Sequence, residues 1–146
     1  MADSNRMQGS CHCGRITFSF LSSIPPEKYS PRACDCSFCQ RHGALYISDQ
    51  NGSLVLDIKE ADALGEYRFG HKLGKFVFCR NCGVLVAVLF ETDGRMFGSV
   101  NSRCIGGNVK FGDFEIISPE KLNAEQKKER WPKVMTRDVQ MRMSAV

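Results

Sequence analysis

The chain has 146 residues, of which eight are cysteine, 42% are hydrophobic and 25% are charged, with a formal net charge of +4. The length suits one domain rather than two, and ordinary apolar content with a small net charge excludes wholesale disorder. The charge is too mild to indicate a nucleic-acid-binding protein by itself. The cysteines are therefore the feature that most needs an explanation.

The first ten residues are polar and lack the apolar stretch of a secretory signal. The longest apolar run, 84–90, has seven residues, far short of the ~20 that cross a bilayer. We therefore expect a cytoplasmic protein with no membrane partner. Structural disulfides are rare in such a reducing compartment, so metal binding or catalysis explains the cysteines better.

Alternating apolar residues predict half-buried strands in the first 118 residues. These patterns fall at 16–20, 54–58 and 66–69. The continuous run at 84–90 predicts a strand covered on both faces. Gly and polar clusters predict turns at 51–52, 70–74, 93–94 and 106–107. Because Asp93-Gly94 lies between two apolar runs, it predicts a hairpin, and the whole pattern predicts a mainly β domain.

The composition changes after residue 117, and 118–146 form a charged C-terminal tail. Seven Lys and Arg against four Asp and Glu give residues 119–146 a net charge of +3. Ser118-Pro119 can begin a helix, and Asn123 with Gln126 is a second helix-start pattern. We expect Pro132 to end that helical segment.

The cysteine spacing is the strongest pattern in the sequence. The groups are Cys11-x-Cys13, Cys34-x-Cys36-x-x-Cys39 and Cys79-x-x-Cys82, with Cys104 alone. The segment 79–83 has the form of a zinc knuckle, and two cysteine pairs distant in sequence can close one tetrahedral zinc site. The middle group supplies three thiolates by itself, which leaves a fourth position open, as in catalytic zinc sites.

Spacing alone leaves alternatives. Cys11 and Cys13 can instead join two of the middle cysteines. The pair Cys11/Cys13 and the pair Cys79/Cys82 can also each be buried free thiols or a redox pair. The middle group can be a second structural zinc whose fourth ligand is Cys104 or a histidine. Cys104 is otherwise a small buried residue.

Three segments in order resemble the glutathione-dependent formaldehyde-activating enzyme family. They are Gly9-Ser10-Cys11-His12-Cys13-Gly14, Cys34-Asp35-Cys36-Ser37-Phe38-Cys39 and Phe78-Cys79-Arg80-Asn81-Cys82-Gly83. The resemblance covers residues 9–117 and leaves the tail, 118–146, outside. It implies a β-tent fold of small antiparallel sheets held together by zinc.

By motif matching, the resemblance implies two zinc ions. Cys11, Cys13, Cys79 and Cys82 would hold a structural ion, and Cys34, Cys36 and Cys39 would hold a catalytic ion that is readily displaced. The implied activity is that of a carbon-sulfur lyase that joins the thiol of glutathione to formaldehyde, giving S-hydroxymethylglutathione, with other thiols or small aldehydes as possible substrates. A sulfur-rich zinc site suits this activity, because zinc binding favours the thiolate form of an incoming thiol.

Glutathione carries two carboxylates, so its pocket should contain cations. Arg41 and His42 directly follow the middle cysteines and Arg80 lies inside the knuckle, which makes these three the predicted glutathione contacts. Lys72 and Lys75, beside the Gly-rich turn, are further candidates by proximity.

The alternative function is a binding module. Centromere protein V has a domain similar to this one, so the scaffold can also serve a binding role. In that case the basic tail would be a contact arm. The tail lacks a dense basic run, so we do not predict a nucleic-acid partner. A zinc-stabilised chaperone of similar architecture has no specific motif in its favour.

Overall fold

The computed structural model describes residues 5–106 and 109–143. Its strands are, in chain order, β1 (Arg6–Ser10), β2 (Ile16–Leu21), β3 (Arg32–Cys34), β4 (Tyr46–Ile47), β5 (Ser53–Ile58), β6 (Leu64–Tyr67), β7 (Gly74–Cys79), β8 (Leu85–Thr92), β9 (Arg95–Asn101), β10 (Glu115–Ile117) and β11 (Asp138–Met143). The α-helices are α1 (Ser37–His42) and α2 (Ala124–Val134). The mainly β fold predicted from the sequence is confirmed.

The first sheet has the strand order β1-β2-β5-β11. Its centre follows directly from the alternating pattern, because Ile16, Phe18 and Phe20 of β2 point into the core and their apolar partners on β5 do the same. The predicted strands at 16–20 and 54–58 are confirmed. The fourth strand, β11, runs parallel to β5 over six residue pairs, and the sequence pattern did not predict it.

The second sheet has the order β10-β3-β4-β9-β8-β7-β6. Strand β8 lies between β9 and β7, and its first six residues are buried, which confirms the strand predicted at 84–90. The predicted hairpin is also confirmed: Asp93 and Gly94 have φ angles of 53° and 74° and connect β8 to β9. Both residues thus have the left-handed backbone of a tight two-residue turn.

Two details of the sequence interpretation need correction. Strand β6 ends at Tyr67, so Phe69 lies in the following turn rather than in a strand. Helix α2 continues through Pro132 to Val134, although we expected the proline to stop it. A proline this close to a helix end removes one backbone hydrogen bond, and the remaining turn is short.

The turn predicted at 106–107 includes Gly107, which lies outside the described residues.

The C-terminal segment is folded against both sheets. The predicted start of α2 is confirmed, because Asn123 and Gln126 form a reciprocal capping box. The end of the helix is held by the hydroxyl of Ser48, which donates to the Val134 carbonyl, and by Thr136, which exchanges two backbone hydrogen bonds with Gly98. A domain division at residue 118 stays a prediction, but residues 124–143 contribute a helix and a sheet strand to this fold.

None of the described helices is long and apolar enough to cross a membrane.

Candidate functional site

Four cysteines from two distant turns meet at the first cluster. Cys11 and Cys13 lie in the connection between β1 and β2, and Cys79 and Cys82 lie at the turn between β7 and β8. Their sulfur atoms all lie within 4.8 Å of one another. Gly14 and Gly83, which directly follow the two pairs, have φ angles of 84° and 82°, a backbone that favours glycine.

The geometry of this first cluster fits a zinc ion. The Sγ atoms of Cys11 and Cys13 are 3.7 Å apart, and those of Cys13 and Cys79 are 3.5 Å apart. Four sulfurs at bond lengths of about 2.3 Å around a tetrahedral ion would be separated by about 3.8 Å. The backbone N–H of Ile16 donates to Cys11 Sγ at 3.3 Å, as a backbone donor to a thiolate would.

Arg15 stabilises negative charge on one sulfur of the first cluster. Hydrogen bonds from the backbone and side chain of Arg15 lower the pKa of Cys13 to about 5. Burial raises the pKa of Cys79 to about 11. A bound cation would reverse this second effect, because it favours the deprotonated thiol.

The second cluster consists of Cys34, Cys36 and Cys39, whose sulfur atoms also lie within 4.8 Å of one another. Cys34 ends β3, Cys36 is the N-cap of α1, and Cys39 lies in the helix. The Cys36 Sγ accepts a hydrogen bond from the Cys39 backbone N–H at 3.3 Å. Gly43, with a left-handed backbone, ends this short helix. One tight turn therefore presents three sulfurs to the same point.

The three thiols of this cluster cannot all ionise without a cation. Hydrogen bonds from the Cys34 and Cys39 thiols lower the pKa of Cys36 to about 2. A hydrogen bond with Cys36 raises the pKa of Cys34 to about 11. Hydrogen bonds with Cys34 and Cys36, together with burial, raise the pKa of Cys39 far above its usual range. Closely spaced like charges disfavour each other, so this donor set fits a metal ion that neutralises them.

The structure brings together the same four and three cysteines that spacing suggested. Among the described residues, the second cluster has no fourth His, Cys, Asp or Glu ligand. Cys104 lies apart from it, donates to the Leu85 carbonyl at 3.4 Å, and has its pKa raised to about 11 by burial and by the nearby Cys11 and Cys82.

Tyr46, which no sequence pattern singled out, contacts the second cluster. Its hydroxyl lies 3.1 Å from the Cys39 Sγ, and both side chains are buried. Burial, followed by the neighbouring Cys39, strongly raises the pKa of Tyr46, so the phenol stays protonated. The hydroxyl can therefore donate to the Cys39 sulfur and orient it.

The second cluster opens onto a cavity of about 680 Å³. This volume is typical of small-molecule sites. Apolar side chains make part of the wall, including Phe69, Phe76 and Val88. Helix α2 makes another part with Trp131 and Val134, and the Trp131 ring packs edge-on against Phe90 with centroids 5.3 Å apart.

The charges that line the cavity are mostly positive. The cations are Arg32, Lys72, Lys127 and Arg130, with one acidic side chain, Glu120, and with His71. Glu120 accepts a hydrogen bond from the Ser37 backbone N–H at 3.3 Å. An anionic ligand would therefore be favoured over a cationic one in this space.

The three predicted glutathione contacts lie elsewhere on the surface, and their role in binding stays a prediction. Arg41 donates to the Ser37 carbonyl within its own helix, and the His42 ring packs on Phe38 at 4.7 Å. Arg80 is exposed at the knuckle, and none of the three lines the cavity. Of the two further candidates, Lys72 lines it, whereas Lys75 pairs with Glu66 and Glu91.

Comparison with known proteins identifies the family of the chain. The family described as glutathione-dependent formaldehyde-activating enzyme matches residues 6–106. The chain belongs to this family. The matched region contains both cysteine clusters, and it ends before α2, so the formaldehyde-activating family model does not include the helix that lines the cavity.

A solved structure supports the fold. The chain is similar to a crystal structure of a Rhodobacter sphaeroides protein, with 30% sequence identity and a TM-score of 0.56. The similarity covers 70% of this chain and 90% of the other. No curated protein matches the chain.

Proposed function

We propose that this protein is a zinc-dependent carbon-sulfur lyase that joins the thiol of glutathione to formaldehyde, or to a related small aldehyde, giving S-hydroxymethylglutathione. One observation carries the proposal: three cysteines, with no fourth His, Cys, Asp or Glu ligand in the described part of the chain, lie at the wall of a cationic cavity. Family membership supplies the substrate class.

In this proposal the two clusters have different roles. Cys11, Cys13, Cys79 and Cys82 hold a structural zinc, since a closed four-sulfur site has no free position. Cys34, Cys36 and Cys39 hold the catalytic zinc. When bound there, zinc supplies a Lewis acid that favours the thiolate form of a thiol at neutral pH.

The residues of the chain position the reactants. The Tyr46 hydroxyl orients the Cys39 sulfur, and Phe69 and Phe76 limit the access of water to the sulfur cluster. The glutathione sulfur forms a bond to the carbonyl carbon, the C=O double bond becomes a C–O single bond, and the proton lost by the thiol ends on that oxygen. The reaction is an addition and needs no oxidant or reductant.

The folded C-terminal segment supports the enzyme over the alternative binding module. A contact arm of the centromere protein V type would have to reach a partner, but here β11 pairs with β5 and α2 lines the cavity. Eight cysteines that form no disulfide also suit the reducing cytoplasm that we propose as the location.

The test uses zinc-loaded protein and ¹³C-labelled formaldehyde. Because thiols add to formaldehyde without a catalyst, NMR exchange measures the rate between free and glutathione-bound formaldehyde above that background. We expect acceleration by the unsubstituted protein and only background exchange with Cys36→Ser, and we expect circular dichroism to show that this variant is folded.

Cys104→Ser is the matched control, because Cys104 belongs to neither cluster. It should retain both the acceleration and two zinc ions per chain, whereas Cys36→Ser should retain one ion. Full activity of Cys36→Ser, or equal loss in the control, would contradict the proposal.

A further inference from the structure

Arg32 lies in the cavity without an acidic partner. It precedes Cys34 by two residues on β3, is half-buried, and lines the same cavity as the sulfur cluster. Its Nη2 donates to two neutral hydroxyls, Ser48 Oγ at 2.7 Å and Ser99 Oγ at 3.2 Å. Among the described residues it forms no ion pair, and its remaining N–H donors have no partner. A guanidinium has five such donors in a fork that matches a carboxylate.

Arg130 brings a second guanidinium to the same cavity. It lies on α2, is exposed, and makes neither an ion pair nor a hydrogen bond with any described residue. Arg32 and Arg130 line the same cavity. Glu115, which is paired in register with Arg32 on the neighbouring strand β10, does not line the cavity. Two like charges face one space, and an anion bound between them would relieve their repulsion.

Ser48 connects Arg32 to the end of the helix that carries Arg130. Its hydroxyl accepts from the Arg32 guanidinium and donates to the carbonyl of Val134, at the end of α2. The same helix end is held by Gln50, whose amide donates to the Pro132 carbonyl at 3.3 Å. The fold therefore holds Arg32 and the end of α2 next to each other before any ligand binds.

We propose that Arg130 and Arg32 together bind a carboxylate of the thiol substrate, so that helix α2 makes this chain selective for thiols that carry a carboxylate. The inference rests on the proposed function for the identity of the thiol. It goes beyond that function, because the binding group comes from a helix that the family match does not reach. Lys72 and Lys127 lie further along the same wall and add positive potential.

The experiment measures binding separately from chemistry. The probe is S-methylglutathione, which keeps both carboxylates of glutathione but has no thiol to react. Titration of the zinc-loaded full chain is followed by calorimetry and by the fluorescence of Trp131, the single tryptophan, which lines the cavity. 2-Mercaptoethanol, an uncharged thiol without a carboxylate, is the comparison ligand.

Arg130→Gln should weaken S-methylglutathione binding about tenfold or more, as expected for the loss of a charge-assisted hydrogen bond. It should leave 2-mercaptoethanol binding unchanged, and Arg130→Lys should restore part of the S-methylglutathione affinity. The matched control is Lys128→Gln, which removes a charge from the same helix but does not line the cavity. Arg32→Gln should weaken S-methylglutathione to a similar extent, with its fold checked by thermal unfolding.

The outcomes separate this inference from the proposed function. Loss of S-methylglutathione binding in Arg130→Gln, in a protein that does not accelerate formaldehyde exchange, supports the carboxylate site and refutes the enzyme. Normal binding by Arg130→Gln in an active protein refutes the carboxylate site alone. Equal weakening of 2-mercaptoethanol binding, equal weakening of S-methylglutathione binding by Lys128→Gln, or no S-methylglutathione binding by the unsubstituted protein also overturns the inference.

Discussion

Replacing Cys79 by serine should remove a large part of the stability of the zinc-loaded protein. In the proposed structural site, Cys79 is linked through the ion to Cys13, 66 residues earlier in the chain. Closing a loop of that length lowers the conformational entropy of the unfolded chain, which raises the free energy of the unfolded state by about 4 kcal/mol at 25 °C. A small domain has a total stability of about 5 to 15 kcal/mol, so we expect Cys79→Ser to leave the fold marginal or lost.

The same reasoning gives a smaller effect for the second cluster. Cys34 and Cys39 are only five residues apart, for which the same relation gives about 2 kcal/mol. Cys36→Ser should therefore cost about 2 kcal/mol less than Cys79→Ser. The difference does not depend on which cysteine is more buried, since Cys36 and Cys79 are both buried.

Urea unfolding of the zinc-loaded variants, followed by far-ultraviolet circular dichroism and by the Trp131 fluorescence, measures both values. Cys104→Ser serves as the control for the loss of a sulfur atom and should change the unfolding free energy by about 1 kcal/mol or less. The reasoning is refuted if Cys79→Ser is no more destabilising than Cys36→Ser, or if it lies within about 1 kcal/mol of the control.

Three further substitutions test how the fold builds the site. Asn123→Ala removes the α2 capping box and should lower the unfolding free energy by about 1 kcal/mol; unchanged hydrogen exchange in the first turn of α2 would contradict this. Gly83→Ala places a side chain at a φ of 82° and should cost about 1 to 2 kcal/mol in thermal unfolding, whereas Gly106→Ala, with open space around the added carbon, should not. Trp131→Ala removes the edge-on contact with Phe90 and should cost at least about 1 kcal/mol; full stability in urea would show that α2 is not held by this contact.

The parts of the fold that the sequence predicted are those with local patterns. The alternation of β2, the continuous apolar run of β8 and the Asp93-Gly94 turn each depend on neighbours a few residues away. The grouping of the cysteines could also be predicted from the sequence. The spacing of metal ligands within one turn depends on the geometry of a metal site rather than on the rest of the chain.

The parts that the sequence did not predict depend on distant contacts. Strand β11 has no marked apolar pattern of its own, and it exists because β5, some 85 residues earlier, offers a free edge. Arg32 and Arg130 are almost 100 residues apart, so no motif joins them, and proximity to the cysteines favoured Arg41 instead. The contact of Tyr46 with Cys39 has the same origin, because it depends on the path of the chain after α1.

The position of α2 in the chain orders events during synthesis. The three thiols at 34–39 leave the ribosome about 90 residues before the helix that lines one side of their cavity. At about 5 to 20 residues per second, this interval lasts about 5 to 20 seconds. During this interval the sulfurs are exposed to the surrounding solution, so the metal binding that we propose and thiol oxidation compete for the same three atoms before α2 has been synthesised.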